Sequence, residues 1–492
     1  MPNTTESYKK IFKATSIFGG VQIFNILIAL IRSKIVAVFL GPSGFGVMSL
    51  FNTTILLITG CTNFGLGTSA VKDVAAASNS GDDLKLGRTV VIFRRLVWIT
   101  GGLGFFVTLI LAPALSQLAF GNREYTISFM LLSITLLFSQ LSAGQSVILR
   151  GMRKVQYLAK ASVLGSLLGL VISLPMYFFF KDEGIVPAII LTSLSALILS
   201  WFYADKVSLP FVNVERSAVR KEGIDMMKMG FLISMSSLIG MGSSYLLRIF
   251  ISDVGGIKDV GLFSAGFSLI STYVGMIFTA MSTDYFPRLA NVASDNGECK
   301  LQINQQIEIA LLIIAPILAV FLIFIKLGVV LLYSKEFLGI ITMVQWAALG
   351  IYFRTLSWSI GFVFLAKGAS KTFFYNELLA YSYMLLFNVL GYYYFGLTGL
   401  GVSFLAGYLC HFFQMYIVSR RMYSFSLENS TARIFGIQFL IALGCFVVVL
   451  KGSENLAYIL GTFLITTSTY YSIKELNQKI GLANFLSKHL KR

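Results

Sequence analysis

Charge is scarce in this chain. Only 12% of its 492 residues are Asp, Glu, Lys or Arg, about half the share of an ordinary soluble protein. With 56% hydrophobic residues and a mean hydropathy of +0.79, that scarcity excludes a soluble globular domain. Acid is scarcer than base, 22 residues against 39. The two histidines, His411 and His489, cannot form a cluster of their own. Cys61, Cys299, Cys410 and Cys445 have no metal-type spacing and no pairing logic, so neither a metal site nor a disulfide framework is expected. Short alternating strands are absent, which disfavours a membrane β-barrel. Long polar segments are absent too. The longest inner connections run to about 20–25 residues, leaving no room for a soluble catalytic domain.

What the chain has instead is apolar blocks of about 20 residues, each long enough to cross a hydrocarbon core as a helix. They predict an all-α polytopic membrane protein with about 14 transmembrane helices. Spans 1–6 fall within 14–203, spans 7–12 within 228–418, and spans 13 and 14 at 434–450 and 456–473. Met1–Lys13 is polar and no small-residue cleavage site follows, so the first apolar run reads as an uncleaved helix. With the N-terminus inside, about 29 of the 39 basic residues fall on the inner side and about 9 outside. That asymmetry predicts both termini in the cytoplasm. It also explains the net charge of +17 without nucleic acid.

A repeat orders the spans. Ala77-Ser78-Asn79-Ser80-Gly81-Asp82 matches Ala293-Ser294-Asp295-Asn296-Gly297-Glu298 at an offset of 216. Three other places agree to within a residue or two. They are Arg32 with Gly44–Ser49 against Arg248 with Asp259–Ser264, Arg150-Gly151 with Lys154 against Lys367-Gly368 with Lys371, and Gly184 against Gly399. Duplicated membrane proteins usually place a pathway between their halves. Each half holds an even number of spans, so the halves run parallel. The expected division is 1–222, a six-helix lobe; 223–425, a second six-helix lobe; and 426–492, two extra helices and a basic tail. In the tail, Asn477–Arg492 suits a short basic amphipathic helix on the inner surface or a solvated end.

Ionisable residues at membrane depth mark function or a pair, because each costs at least about 2.5–3.5 kcal/mol at mid-bilayer. Arg354 sits in the middle of span 10 with no acid one turn away, which suits an anion contact in a cavity or an ion pair with another helix. Arg32 and Lys34 lie toward the outer end of span 1, and Arg248 holds the matching place in span 7. They read as snorkelling side chains or as paired cations for a diphosphate, whose oxygens guanidinium binds bidentately. Asp284 and Arg288 are spaced i,i+4, but Pro287 between them predicts a helix break, so a gate latch or an interfacial cap is expected rather than a simple pair. Glu308 and Glu377 open spans 9 and 11, where the helix dipole accounts for them; a proton-coupling role is the alternative. His411 reads as a hydrogen-bonded packing histidine, with a proton relay as the alternative. Gly101, Gly102 and Gly104, and Gly165 with Gly169, suit close helix approach.

Leu40-Gly41-Pro42-Ser43-Gly44-Phe45-Gly46, after a first span ending in basic residues, is similar to the opening of Wzx-type polysaccharide flippases. So is Tyr285-Phe286-Pro287-Arg288-Leu289-Ala290. Leu331–Phe337, continuing through Trp346, Gly350 and Arg354 to Leu365-Ala366-Lys367-Gly368, resembles the second-half signature of O-antigen and enterobacterial common antigen flippases. The resemblance covers roughly residues 10–425. It implies the multidrug/oligosaccharidyl-lipid/polysaccharide exporter fold, two pseudo-symmetric six-helix lobes in a V around a central cavity. It implies transfer of an undecaprenyl-diphosphate-linked oligosaccharide across a bacterial inner membrane by alternating access. Its partners would be that substrate, membrane lipids, and the polysaccharide polymerase with its chain-length machinery. The cavity cations would be Arg32, Lys34, Arg248 and Arg354. No cofactor is implied. Coupling to a proton or sodium gradient or to the membrane potential has no assigned residue, since no acid stands at mid-span in the first half. Two rivals follow from other chemistry. A drug/cation antiporter of the same fold wants intramembrane carboxylates. A membrane polymerase or glycosyltransferase wants a catalytic loop or acidic cluster.

Overall fold

A backbone in hydrocarbon must satisfy its own hydrogen bonds, and this chain does so with helices. The computed structural model describes residues 4–209 and 212–480, and among these no strand occurs. The helices are α1 (Thr4–Phe39), α2 (Gly41–Thr62), α3 (Leu66–Asn79), α4 (Asp83–Phe120), α5 (Thr126–Gly151), α6 (Val155–Phe180) and α7 (Ile185–Asp205). There follow α8 (Arg216–Asn291), α9 (Asn296–Leu332), α10 (Ile341–Ala366), α11 (Ser370–Tyr423), α12 (Asn429–Lys451) and α13 (Glu454–Ile480). Ten continuous stretches among the described residues are long and apolar enough to cross a bilayer. Three of them, 155–205, 234–291 and 370–423, each hold two spans. A short 3₁₀ turn at Lys181–Gly184 divides the first, and non-helical glycines at 256 and 396 divide the others. With α13 the expected fourteen spans are all present as helix. α13 is the least apolar because it carries threonines. Thr462, Thr466, Thr467 and Thr469 each donate to the carbonyl four residues earlier, which removes most of their cost in lipid.

Two segments read from sequence as inner connections are helical. In α3, Leu66, Ala70, Val74 and Ala77 are buried while Lys72 is exposed, an amphipathic period that its short length hid. Burial holds the Asp73 carboxyl above its usual range, and Lys72 opposes that only in part. α8 begins at Arg216, before its apolar span. The helix also carries through Pro287, contrary to the expected break. Tyr285 and Leu289 are fully buried, and the Tyr285 hydroxyl donates to the Ser359 carbonyl at 2.7 Å, so packing holds the last turn. The tail beyond Ile480, with Leu482, Phe485, Leu486, Leu490 and His489, lies outside the described residues.

The repeat is visible as repeated backbone geometry, and its structural offset is 215. Gly41 and Gly256 both have positive φ and open the second span of each half. Arg153 and Gly368 both take positive φ. After them the amides of Lys154 and Ala369 bond to the carbonyls of Leu149 and Phe364, the 6→1 bond of a Schellman turn. Lys181 (φ 46, ψ −125) and Gly396 (φ 56, ψ −142) make the same corner. At Gly184 and Gly399 a Cβ would collide with the carbonyls of Met176 and Gly391, each eight residues earlier. The sequence match of Gly151 with Gly368 was therefore two residues out of register. Gly368 corresponds to Arg153.

The chain forms two compact units, 1–261 with 332–334, and 262–331 with 335–492. Within the first, a Cβ at Gly46 would strike the Ile257 carbonyl, and one at Gly261 would strike the Pro42 carbonyl. The two contacts are reciprocal and 215 residues apart, as a pseudo-two-fold crossing requires.

Candidate functional site

In the first unit a cavity of about 430 Å³ opens among α1, α5, α6 and α7. Gln22, Asn25 and Arg32 lie on one face of α1 and line it. Asn25 Nδ2 donates to Ser162 Oγ and Asn25 Oδ1 accepts from Ser166 Oγ, both at 2.8 Å, which holds the amide against α6. Ser142, Ser146 and Arg150 contribute from α5, and no carboxylate is among the lining residues. α1 continues as helix to Phe39, so Arg32 sits seven residues before its C-terminal end, within the candidate membrane segment Gly20–Phe39. That is about 10 Å of helix. A pocket of two guanidiniums, hydroxyls and amides suits phosphate and sugar oxygens.

Arg248 is a different case. Its side chain is buried. Nε donates to Ser49 Oγ at 3.1 Å and Nη1 to the Ser244 carbonyl at 3.0 Å. Counted from the glycine corners, Arg32 stands nine residues before Gly41, and Arg248 eight before Gly256. One residue is a rotation of about 100°, so the two arginines do not share a face. The register match of Arg32 is Leu247. Lys34 Nζ donates to the Tyr333 carbonyl.

The second unit gathers residues that the sequence reading had scattered. The Arg354 guanidinium lies 5.4 Å from the Phe278 ring and 5.5 Å from the Tyr408 ring. Among the described residues it has no carboxylate within ion-pair distance, and its contacts are cation–π approaches to these two rings. Glu377 Oε1 lies 3.7 Å from His411 Nε2, with both side chains largely buried. Among the described residues neither ring nitrogen of His411 has a hydrogen-bond partner, which departs from the reading of it as a hydrogen-bonded packing residue. Glu377 is thus a member of a buried pair, and the helix dipole alone does not account for it. Beside it, Gln414 Nε2 donates to Asn376 Oδ1 at 2.8 Å, and the Tyr383 hydroxyl donates to Gln414 Oε1 at 2.9 Å. At the structural offset, Glu377 corresponds to Ser162 and His411 to Ala196. Both of those face the first unit's cavity. The same place in the fold is therefore polar and open in one unit and ionisable in the other.

The remaining candidates have local partners. Arg288 Nε lies 3.5 Å from Asp284 Oδ2, the i,i+4 pair that the unbroken helix permits, and its Nη2 donates to Gln306 Oε1 at 3.1 Å. Asp284 is 83% exposed, so the pair contributes little. Glu308 is buried and accepts from Lys479 Nζ at 2.7 Å and Thr431 Oγ1 at 3.0 Å. It clasps α12 and α13 onto α9, a role the dipole argument missed because its partner lies 171 residues away. Asn25 and Arg150 were also missed. Asn25 looks like any polar residue in an apolar run, and Arg150 like one more inner-side cation.

Residues 35–342, more than half of the chain, match a family described as polysaccharide biosynthesis protein. The chain belongs to that family. It is 19% identical over 393 residues to the lipid III flippase of Escherichia coli strain K12, covering 78% of this chain and 92% of that one. The Shigella flexneri lipid III flippase matches to the same extent. Among solved structures, the lipid II flippase MurJ in an inward closed conformation is similar with a TM-score of 0.73 at 11% identity, over 95% of this chain and 99% of that one. An inward-facing multidrug resistance MATE family transporter of the MOP superfamily is similar with a TM-score of 0.65 at 17% identity, over 81% and 94%. The fold is that of the MOP superfamily, in a multi-pass membrane protein.

Proposed function

We propose that this protein is a flippase for a lipid-linked oligosaccharide, an undecaprenyl-diphosphate-linked O-antigen or similar surface-polysaccharide repeat unit. It would move that unit from the cytoplasmic to the periplasmic leaflet of a bacterial inner membrane by alternating access, with both termini cytoplasmic. The observation that carries this reading is the chemistry at membrane depth in a polysaccharide-biosynthesis chain. The first unit's cavity offers Arg32, Arg150, hydroxyls and amides and no acid among its lining residues, and Arg354 has no carboxylate within ion-pair distance among the described residues. A bare diphosphate in hydrocarbon carries a prohibitive desolvation cost, and guanidiniums offset it. The lipid III and lipid II flippases, by their names, act on lipid-linked substrates, which supports the class. A membrane potential negative inside favours outward movement of an anion by about 2.3 kcal/mol per charge per 100 mV. The Glu377–His411 pair is the candidate for proton coupling. A polymerase with its chain-length machinery would take the product. The division at 222/223 and 425/426 is proposed from the spans and the sequence repeat. Movement of a radiolabelled polyprenyl-diphosphate oligosaccharide in proteoliposomes tests the reading, and loss of protein-dependent movement in Arg32→Ala and Arg354→Ala is the expected result.

A second reading has one observation in its favour. Glu377 supplies a buried acid, as an antiporter of organic cations requires, and MATE transporters share the fold. Export of a lipophilic cation dye that Glu377→Gln abolishes, with no oligosaccharide movement, would select it.

A further inference from the structure

One cavity shares no lining residue with the site above. On the first unit, a groove of about 980 Å³ lies between α4 and the segment 213–227 that leads into the first span of α8. Its lining is predominantly apolar, with Trp98, Ile99, Ile224 and Met227. Three arginines, Arg95, Arg216 and Arg220, stand around it with one acid, Glu215. Arg95 Nη1 donates to the Val214 carbonyl at 2.9 Å and fixes one wall. Arg216 and Arg220 are exposed, one turn apart on α8, and have no ion pair among the described residues. The nearby Arg88–Glu222 pair is neutral in sum. From the groove, an exposed apolar strip runs up α4 through Leu103, Phe106 and Ile110, at helical spacing from Ile99. Trp98 is 52% exposed at the foot of this strip, where an indole marks a bilayer interface.

From this geometry we infer that the groove is a binding site for an anionic phospholipid of the inner leaflet. Its phosphate sits at Arg216 and Arg220, and an acyl chain lies along Trp98, Ile99 and the strip on α4. Charge complementarity and continuity with the lipid-facing strip select this occupant. The leaflet rests on the orientation proposed above; the site does not rest on transport. The lipid would pin residues 213–215 against α4.

Trp98 is a built-in reporter. The full chain is placed in vesicles with brominated phosphatidylglycerol or brominated phosphatidylcholine at equal mole fraction in both leaflets. The fluorescence difference between wild type and Trp98→Phe isolates this indole. Brominated phosphatidylglycerol is expected to quench it at least about twofold more than brominated phosphatidylcholine, with the preference falling as salt rises. The double variant Arg216→Gln/Arg220→Gln is expected to lose the preference. Both positions are exposed, so folding is not at risk. Equal quenching by the two lipids, or a preference that survives in the double variant, overturns the inference. Displacement of the brominated lipid by undecaprenyl diphosphate at the same mole fraction overturns it in favour of the substrate's own headgroup. Quenching is read without flipping, so a failed transport assay and a failed lipid site remain distinguishable.

Discussion

A guanidinium in hydrocarbon is retained only if something repays its desolvation, and the arginines here are repaid differently. Arg248 is hydrogen-bonded into its helix packing by Ser49 and Ser244. Arg354 lies beside the rings of Phe278 and Tyr408 and makes no ion pair among the described residues. Arg354→Ala is therefore expected to lower oligosaccharide transport at least about tenfold, the worth of one charge-assisted contact of about 1.4 kcal/mol. Arg354→Lys keeps charge but loses the planar stack, and should fall between. Transport per protein in proteoliposomes checks both. Arg248→Lys should instead lower thermal stability. For the pair at 3.7 Å, Glu377→Gln is expected to remove the response of transport to an imposed pH gradient. A gradient response as large as wild type would remove this pair from the coupling role. Arg354 was legible as a mid-span charge. Its partners were not, because ring faces and residues on other helices leave no mark in local sequence.

At the scale of the element, glycines decide where helices touch, and spacing alone does not say which ones. Among the described residues nothing lies within 4 Å of where a Cβ on Gly102 would stand, while one on Gly101 or Gly104 would meet Leu137 or Thr62 at 3.1 Å. Gly165 meets only Leu199, at 3.9 Å, because it borders the cavity. Gly46→Leu would drive a side chain into the Ile257 carbonyl and is expected to cost at least about 1–3 kcal/mol. Gly102→Leu, facing open space, should be close to neutral; melting in detergent compares the two. α12 and α13 are joined by Gln438, which donates to Ser472 Oγ at 2.8 Å and accepts from Ser468 Oγ at 2.7 Å. Lys479→Ala leaves the buried Glu308 carboxylate with Thr431 alone, and about 1–3 kcal/mol of stability should be lost. Unchanged melting would mean the clasp is not stabilising. The fourteen apolar blocks and their order could be read directly, since hydrophobic length is a local property. α3 and the helical start of α8 could not, since both are short amphipathic turns beside polar residues.

For the whole molecule, duplication is the organising fact. The sequence offset of 216 and the structural offset of 215 differ by one residue, and that residue matters. It makes Arg32 and Leu247 the corresponding positions, not Arg32 and Arg248, and it aligns the Glu377–His411 pair with the first unit's cavity. Short matches in loops could reveal that a repeat exists, but only backbone corners with positive φ fix its register. Orientation is testable independently. In a background with Cys61 and Cys410 replaced by serine, Ser80→Cys is expected to react with a membrane-impermeant maleimide only after spheroplasts are opened. Asn122→Cys should react before. The central claim is transport of an anionic lipid-linked glycan that depends on the intramembrane cations Arg32 and Arg354. Its most direct test is transbilayer movement of a radiolabelled polyprenyl-diphosphate oligosaccharide in proteoliposomes, with a native lipid extract as donor for matched glycans. Protein-dependent movement that Arg32→Ala and Arg354→Ala each reduce at least about tenfold is the predicted result. Movement unchanged in both variants at equal protein level, or none with any glycan in the native extract, would contradict it.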